Sequence, residues 1–98
     1  MMEKFFFTLF LVNVNETFMQ LIPRHRAHVD ELLEHEIIET YAVNLDRSKA
    51  WIVVNAATRE EAVAVIESFI IRDYFTYQVD QLFIYENALG LMPKMVLN

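Results

Sequence analysis

Residues 4–14, KFFFTLFLVNV, carry apolar side chains on both faces of a strand: Phe5, Phe7, Leu9 and Leu11 on one, Phe6, Phe10, Val12 and Val14 on the other. Such a strand has to be covered on both sides, so it belongs inside a sheet with something packed on each face. The same stretch, at the start of the chain, invites reading as a secretory leader. It lacks a small-residue cleavage site, and an apolar run of about nine residues is too short to cross a bilayer. The expectation is a strand of a cytoplasmic protein with no membrane partner.

The remainder of the chain reads as helix, two strands, helix, strand. Asn15 suits an N-cap, and residues 16–36 carry a stripe at Phe18, Ile22, His25, Val29, Leu32 and Glu36. Pro23 lies on the opposite face and predicts a kink or restart. The strands IIETYAVNL (37–45) and AWIVVNAA (50–57) flank the polar tetrad DRSK, which has hairpin character. Thr58 and Glu61 stand in capping-box register, opening a helix from 59 to about 71 with Ala62, Val63, Ile66, Phe69 and Ile70 inward. A last strand, TYQVDQLFIYE (76–86), precedes the apolar tail NALGLMPKMVLN.

The order β-α-β-β-α-β predicts one α+β domain over residues 1–98, ferredoxin-like, with an antiparallel four-stranded sheet of order 4-1-3-2. Two helices cover one face of such a sheet. The other face would expose more Phe and Val than a soluble monomer tolerates, so a second copy is expected there, closing an α+β barrel. Residues 87–98 are expected to form an apolar arm that packs on a partner subunit. The expected state is a homodimer or higher homo-oligomer.

Charge narrows the partners. With 8 basic and 14 acidic residues the formal charge is −6, which argues against nucleic acid. The chain has no cysteine, which removes thiolate nucleophiles and thiolate metal sites.

His25 falls in the middle of the apolar stripe, with Arg24 and Arg26 turned about 100° to either side. It reads either as a core histidine bonded to a backbone carbonyl or as a general acid/base in a cavity between helix and sheet. An arginine beside it suits a substrate carboxylate. His28 lies at the stripe's edge and His35 further round near the helix C-terminus. No third and fourth ligand join them, so no metal is expected. Asp73, in FIIRDYFTY, is an acid placed either to orient a histidine or, next to Arg72, to face water. Tyr41 and Trp51 suit either a pocket wall or the core.

The strand KFFFTLFLVNV, the helix PRHRAHVDELLEHE, the segment VVNAATREEAVAVIESF and the stretch RDYFTYQVDQL together resemble the dimeric α+β-barrel superfamily. Over roughly residues 4–86 they are most similar to its muconolactone-isomerase-like and YciI-like members. Muconolactone isomerases often carry an Arg-Glu-Lys triplet at a fixed distance before the glycine that ends the first helix. With Glu36 in the glycine's place, the triplet falls on Arg24, His25 and Arg26. YciI-like proteins have a histidine at the His25 position and an acid after the second helix, matching Asp73.

The resemblance implies a cofactor-free isomerase acting on a small lactone- or enol-type carboxylic acid. His25 would move a proton, Asp73 would orient it, and Arg24, Arg26, His28, Tyr41 and Trp51 would surround the substrate. The same barrel also hosts monooxygenases acting on quinol-like compounds. The competing expectation is a non-catalytic dimeric module that binds a small ligand or a protein, with His25 structural.

Overall fold

The computed structural model describes residues 2–88. Strand β1 (Glu3–Leu11) leads to helix α1 (Glu16–Glu34), then β2 (Ile38–Val43), β3 (Lys49–Ala56), α2 (Arg59–Glu67), a 3₁₀ turn (Arg72–Tyr74) and β4 (Phe75–Gln81). Every strand pairing is antiparallel and the order is β2-β3-β1-β4. Read from the other edge this is 4-1-3-2, the ferredoxin-like arrangement expected. Among the described residues no helix is long and apolar enough to cross a membrane. The anticipated C-terminal arm falls mostly on residues 89–98, outside the described residues.

Alternation along the strands decides what the helices cover. Phe5, Phe7 and Leu9 of β1 and Ala50, Ile52, Val54 and Ala56 of β3 form one core with Phe18, Val29 and Leu32 of α1 and Ala62 and Ile66 of α2. The second face of β1 is different: Phe6, Thr8 and Phe10 are only half-buried, and Val12 and Val14 are exposed beyond the strand. The expected burial of β1 on both sides is therefore met on the helix side alone within the described chain.

That second face carries a polar knot. Lys4 bonds the Glu39 carboxylate, donates to Asn55 Oδ1 at 2.6 Å, and sits 5.4 Å from the centre of the Tyr85 ring. Tyr85 comes from the segment after β4, which starts across the sheet with a bond from the Leu82 N–H to the Lys4 carbonyl (2.8 Å). Val53, on this face, is buried without joining the helix-side core.

Helix ends follow local chemistry. Asn15 Oδ1 accepts from the Phe18 N–H (2.9 Å), and Thr58 Oγ1 accepts from the Glu61 N–H (3.2 Å). Glu61 reaches back to the Ala57 N–H, one residue before the cap. Helix α1 closes with the Ile37 N–H on the Leu32 carbonyl and the Glu36 N–H on the Leu33 carbonyl, the paired bonds of a Schellman motif. Glu36 holds the left-handed position, φ 57°, where glycine would be unstrained.

Two details of the helices differ from the expected outline. Helix α1 does not restart at Pro23 but continues through it; the N–H that proline lacks would have served the carbonyl of Met19, a residue on the exposed side where water can serve instead. Helix α2 stops at Glu67 rather than about 71. There the Ser68 hydroxyl donates to the Val65 carbonyl (2.6 Å), and the Phe69 N–H bonds three residues back to Ile66. Phe69 still reaches the core, while Ile71 enters it in place of the expected Ile70, which is half-buried.

Candidate functional site

The first half of α1 and the outer end of the sheet line a common space. The Leu11 N–H donates to the Ser48 carbonyl (2.9 Å) and the Val12 N–H to the Tyr74 carbonyl (2.8 Å), which ties the end of β1 to the β2–β3 hairpin and to the 3₁₀ turn. The space left between α1 and these ties is a cavity of about 700 Å³. That is ample for a drug-sized molecule. Its walls are largely apolar, with Leu9, Phe18, Ile22 and Ala50 among them, and His25 and Tyr41 are set into them. Arg26, Asp46, Arg47 and Ser48, all exposed, give it a polar rim.

His25 reaches the wall because the helical stripe that buries Phe18, Val29 and Leu32 also carries it. It is 1% exposed, the one buried polar side chain among the described residues. Its Nε2 lies 2.8 Å from the Tyr41 hydroxyl, and its ring packs edge-on against Phe69 at 5.3 Å. Nδ1 has no partner among the described residues. A neutral imidazole has one N–H and one bare nitrogen, so whichever tautomer Tyr41 selects, the other nitrogen is buried without a bond, at a cost of about 1–3 kcal/mol.

Electrostatics keep the pair neutral. Burial, then repulsion from His28 and Arg26, pushes the His25 imidazole down to about 4. Burial pushes the Tyr41 phenol up, against the pull of Arg26. At pH 7 both are uncharged. Asp46 at the rim is held below the usual carboxylate range by the hydroxyl and backbone N–H of Ser48, so it stays ionised.

The fold brings together three of the residues singled out in the sequence: His25, Tyr41 and Arg26. Others go elsewhere. Arg24 is exposed and does not line the cavity. His28 is half-buried against Phe69 (6.0 Å between ring centres), and its Nδ1 also lacks a partner among the described residues. Trp51 pairs with Thr8 and Ala42 on the second face of the sheet, away from the helices. Asp73 is exposed in the 3₁₀ turn, and neither nitrogen of His25 bonds it. Tyr41 holds the ring instead, because it projects from β2 directly beneath α1. Among the described residues no cluster of three or more His, Asp or Glu is placed to hold a metal ion.

Sequence reading missed Asp46, Arg47 and Ser48, which the DRSK turn brings to the rim. The available signal was an arginine in a tight polar turn, in a slot that Gly or Asn usually fills.

No protein-family model matches the chain, and no curated protein matches it.

Proposed function

We propose that the chain is a cofactor-free, isomerase-like enzyme that moves a proton on a small lactone- or enol-type carboxylic acid. The observation that carries this is His25. It is buried in the wall of a cavity, oriented by Tyr41, with one ring nitrogen left unpartnered among the described residues. Arg26 at the rim suits the acid's carboxylate. His25 takes the proton from a carbon beside a carbonyl, and the electron pair moves onto the carbonyl oxygen. The Tyr41 hydroxyl is the donor available to that developing charge. The imidazolium then returns the proton at another carbon, so no oxidant or cofactor enters. A bound carboxylate offsets Arg26 and so eases protonation of His25.

On this reading the chain is a relative of the muconolactone-isomerase-like and YciI-like proteins, working in the cytoplasm as a homodimer joined through the half-buried second face of its sheet. Phe6, Phe10 and Trp51 lie on that face.

A second reading rests on the depressed imidazole. A ring at about 4 is a weak base, which suits a module that binds a small acid without turning it over. One experiment separates the two. A panel of lactone and enol acids is incubated with the protein in D₂O, and proton NMR follows both line broadening and deuterium uptake at carbon. Catalysed uptake that disappears in His25→Gln, while broadening persists, supports the enzyme. Broadening without uptake in the unaltered protein supports the binding module, and neither effect removes both.

A further inference from the structure

We propose that Arg47 is the second carboxylate-holding residue of this cavity, and that the cavity's ligand is an amphipathic organic acid with its charged end at the rim and its apolar body inward. This rests on the reading of the cavity as a ligand site and deepens it.

Charge at the rim runs against that of the whole chain. The chain has 8 basic against 14 acidic residues, yet the rim carries two arginines and a single acid. That acid, Asp46, is taken up by Ser48, whose hydroxyl and N–H bond it at 2.6 and 3.0 Å. The two ion pairs among the described residues are Lys4–Glu39 and Arg72–Glu67. Among those residues, Arg26 and Arg47 therefore face the cavity's opening with no carboxylate of their own. Two unpaired guanidinium groups beside a low-dielectric opening attract an anion.

The backbone adds a second observation. Arg47 sits at φ 64°, in the left-handed region, fixed by its N–H on the Asn44 carbonyl and by the Asn44 N–H on the Lys49 carbonyl, both 3.1 Å. Glycine or asparagine would fill this slot at less cost. A long cation is kept there despite that cost, at a position that lines the cavity. The third observation is chemical. Below the rim the wall is aliphatic and aromatic, and its polar groups are His25 and Tyr41, both neutral. A dianion spanning the cavity would lay its second charge against that apolar wall. A mono-acid with an apolar body avoids this.

The test compares 3-phenylpropanoate with its neutral amide by isothermal titration calorimetry, in the unaltered protein, Arg47→Gly, Arg47→Gln and Arg26→Gln. The expected result is acid binding at least about tenfold tighter than amide, and loss of that preference in both Arg47 variants with amide affinity unchanged. Arg47→Gly should also melt at a higher temperature, since it releases the left-handed position. A stabilised variant that has lost acid affinity is not a damaged one. Equal weakening of acid and amide would make Arg47 part of the rim's shape and overturn the proposal. Acid binding that survives both Arg47 variants but falls in Arg26→Gln would overturn it while leaving the cavity reading intact. No binding of either compound would remove both.

Discussion

Replacing His25 by Gln should change the acid sensitivity of folding more than any other substitution in the helix-side core. The imidazole is pushed down to about 4 in the folded chain, against 6.5 for an ordinary histidine. Between those values the unfolded chain binds a proton that the folded chain refuses. Stability from this site is thus fully present above pH 6.5 and is lost as pH falls toward 4. Linkage gives a loss of about 2.5 kcal/mol between pH 7.5 and pH 4.5, and about half of that is reached by pH 5.5. Water entering the cavity screens the ring, so about 2 kcal/mol is the working figure. Urea unfolding at four pH values, at one fixed protein concentration, measures it. Trp51 reports by fluorescence from the opposite face of the sheet, away from the substitution. Glu39 is also acid-sensitive: burial raises it, but its bonds to Lys4, Asn55 and Tyr85 leave it below its ordinary value. That contribution is common to both proteins and cancels in the difference. The stability gap between the unaltered protein and His25→Gln should therefore shift by about 2 kcal/mol across the range. Parallel curves would refute the neutral, desolvated ring and with it the account of the site.

Three further outcomes are expected. Tyr41→Phe removes the hydrogen-bond partner of His25, leaving both ring nitrogens unbonded, and should cost about 1–3 kcal/mol in urea unfolding. Glu36→Gly, at φ 57°, should stabilise by about 0.5–1 kcal/mol, seen as a higher urea midpoint with an unchanged slope. Phe7→Ala, at a site 0% exposed and 5.6 Å from the Tyr77 ring centre, should cost about 3–5 kcal/mol, read by circular dichroism on heating.

The fold was legible because its signals are periodic and local. The Phe-rich first strand, the Asn15 cap and the stripe from Phe18 to Leu32 each specify an element without reference to the rest of the chain. The end of α2 was not, because a serine hydroxyl competing for a helix carbonyl leaves no mark on hydrophobic spacing. The site was half legible. His25 stood out as a polar residue in an apolar stripe, and Arg26 as its neighbour. That Tyr41 rather than Asp73 meets the ring depends on which face of β2 lies under α1. The bulge between Ile38 and Thr40 shifts the strand's register there. An arginine in a short polar turn marked Arg47 as unusual, but the partner it would share a cavity rim with, Arg26 of the first helix, could not be read from the turn. Long-range packing creates that proximity.

The segment after β4 has a kinetic consequence. Tyr85 rests on Lys4, with its hydroxyl 3.4 Å from that of Thr40 on β2, so the chain already occupies part of the sheet face that a second copy would use. For the homodimer proposed above, docking that needs residues 82–85 moved aside would carry a unimolecular step before association. Its observed rate would then rise with protein concentration only until that step takes over and level off, whereas docking onto the segment as it lies would show no plateau.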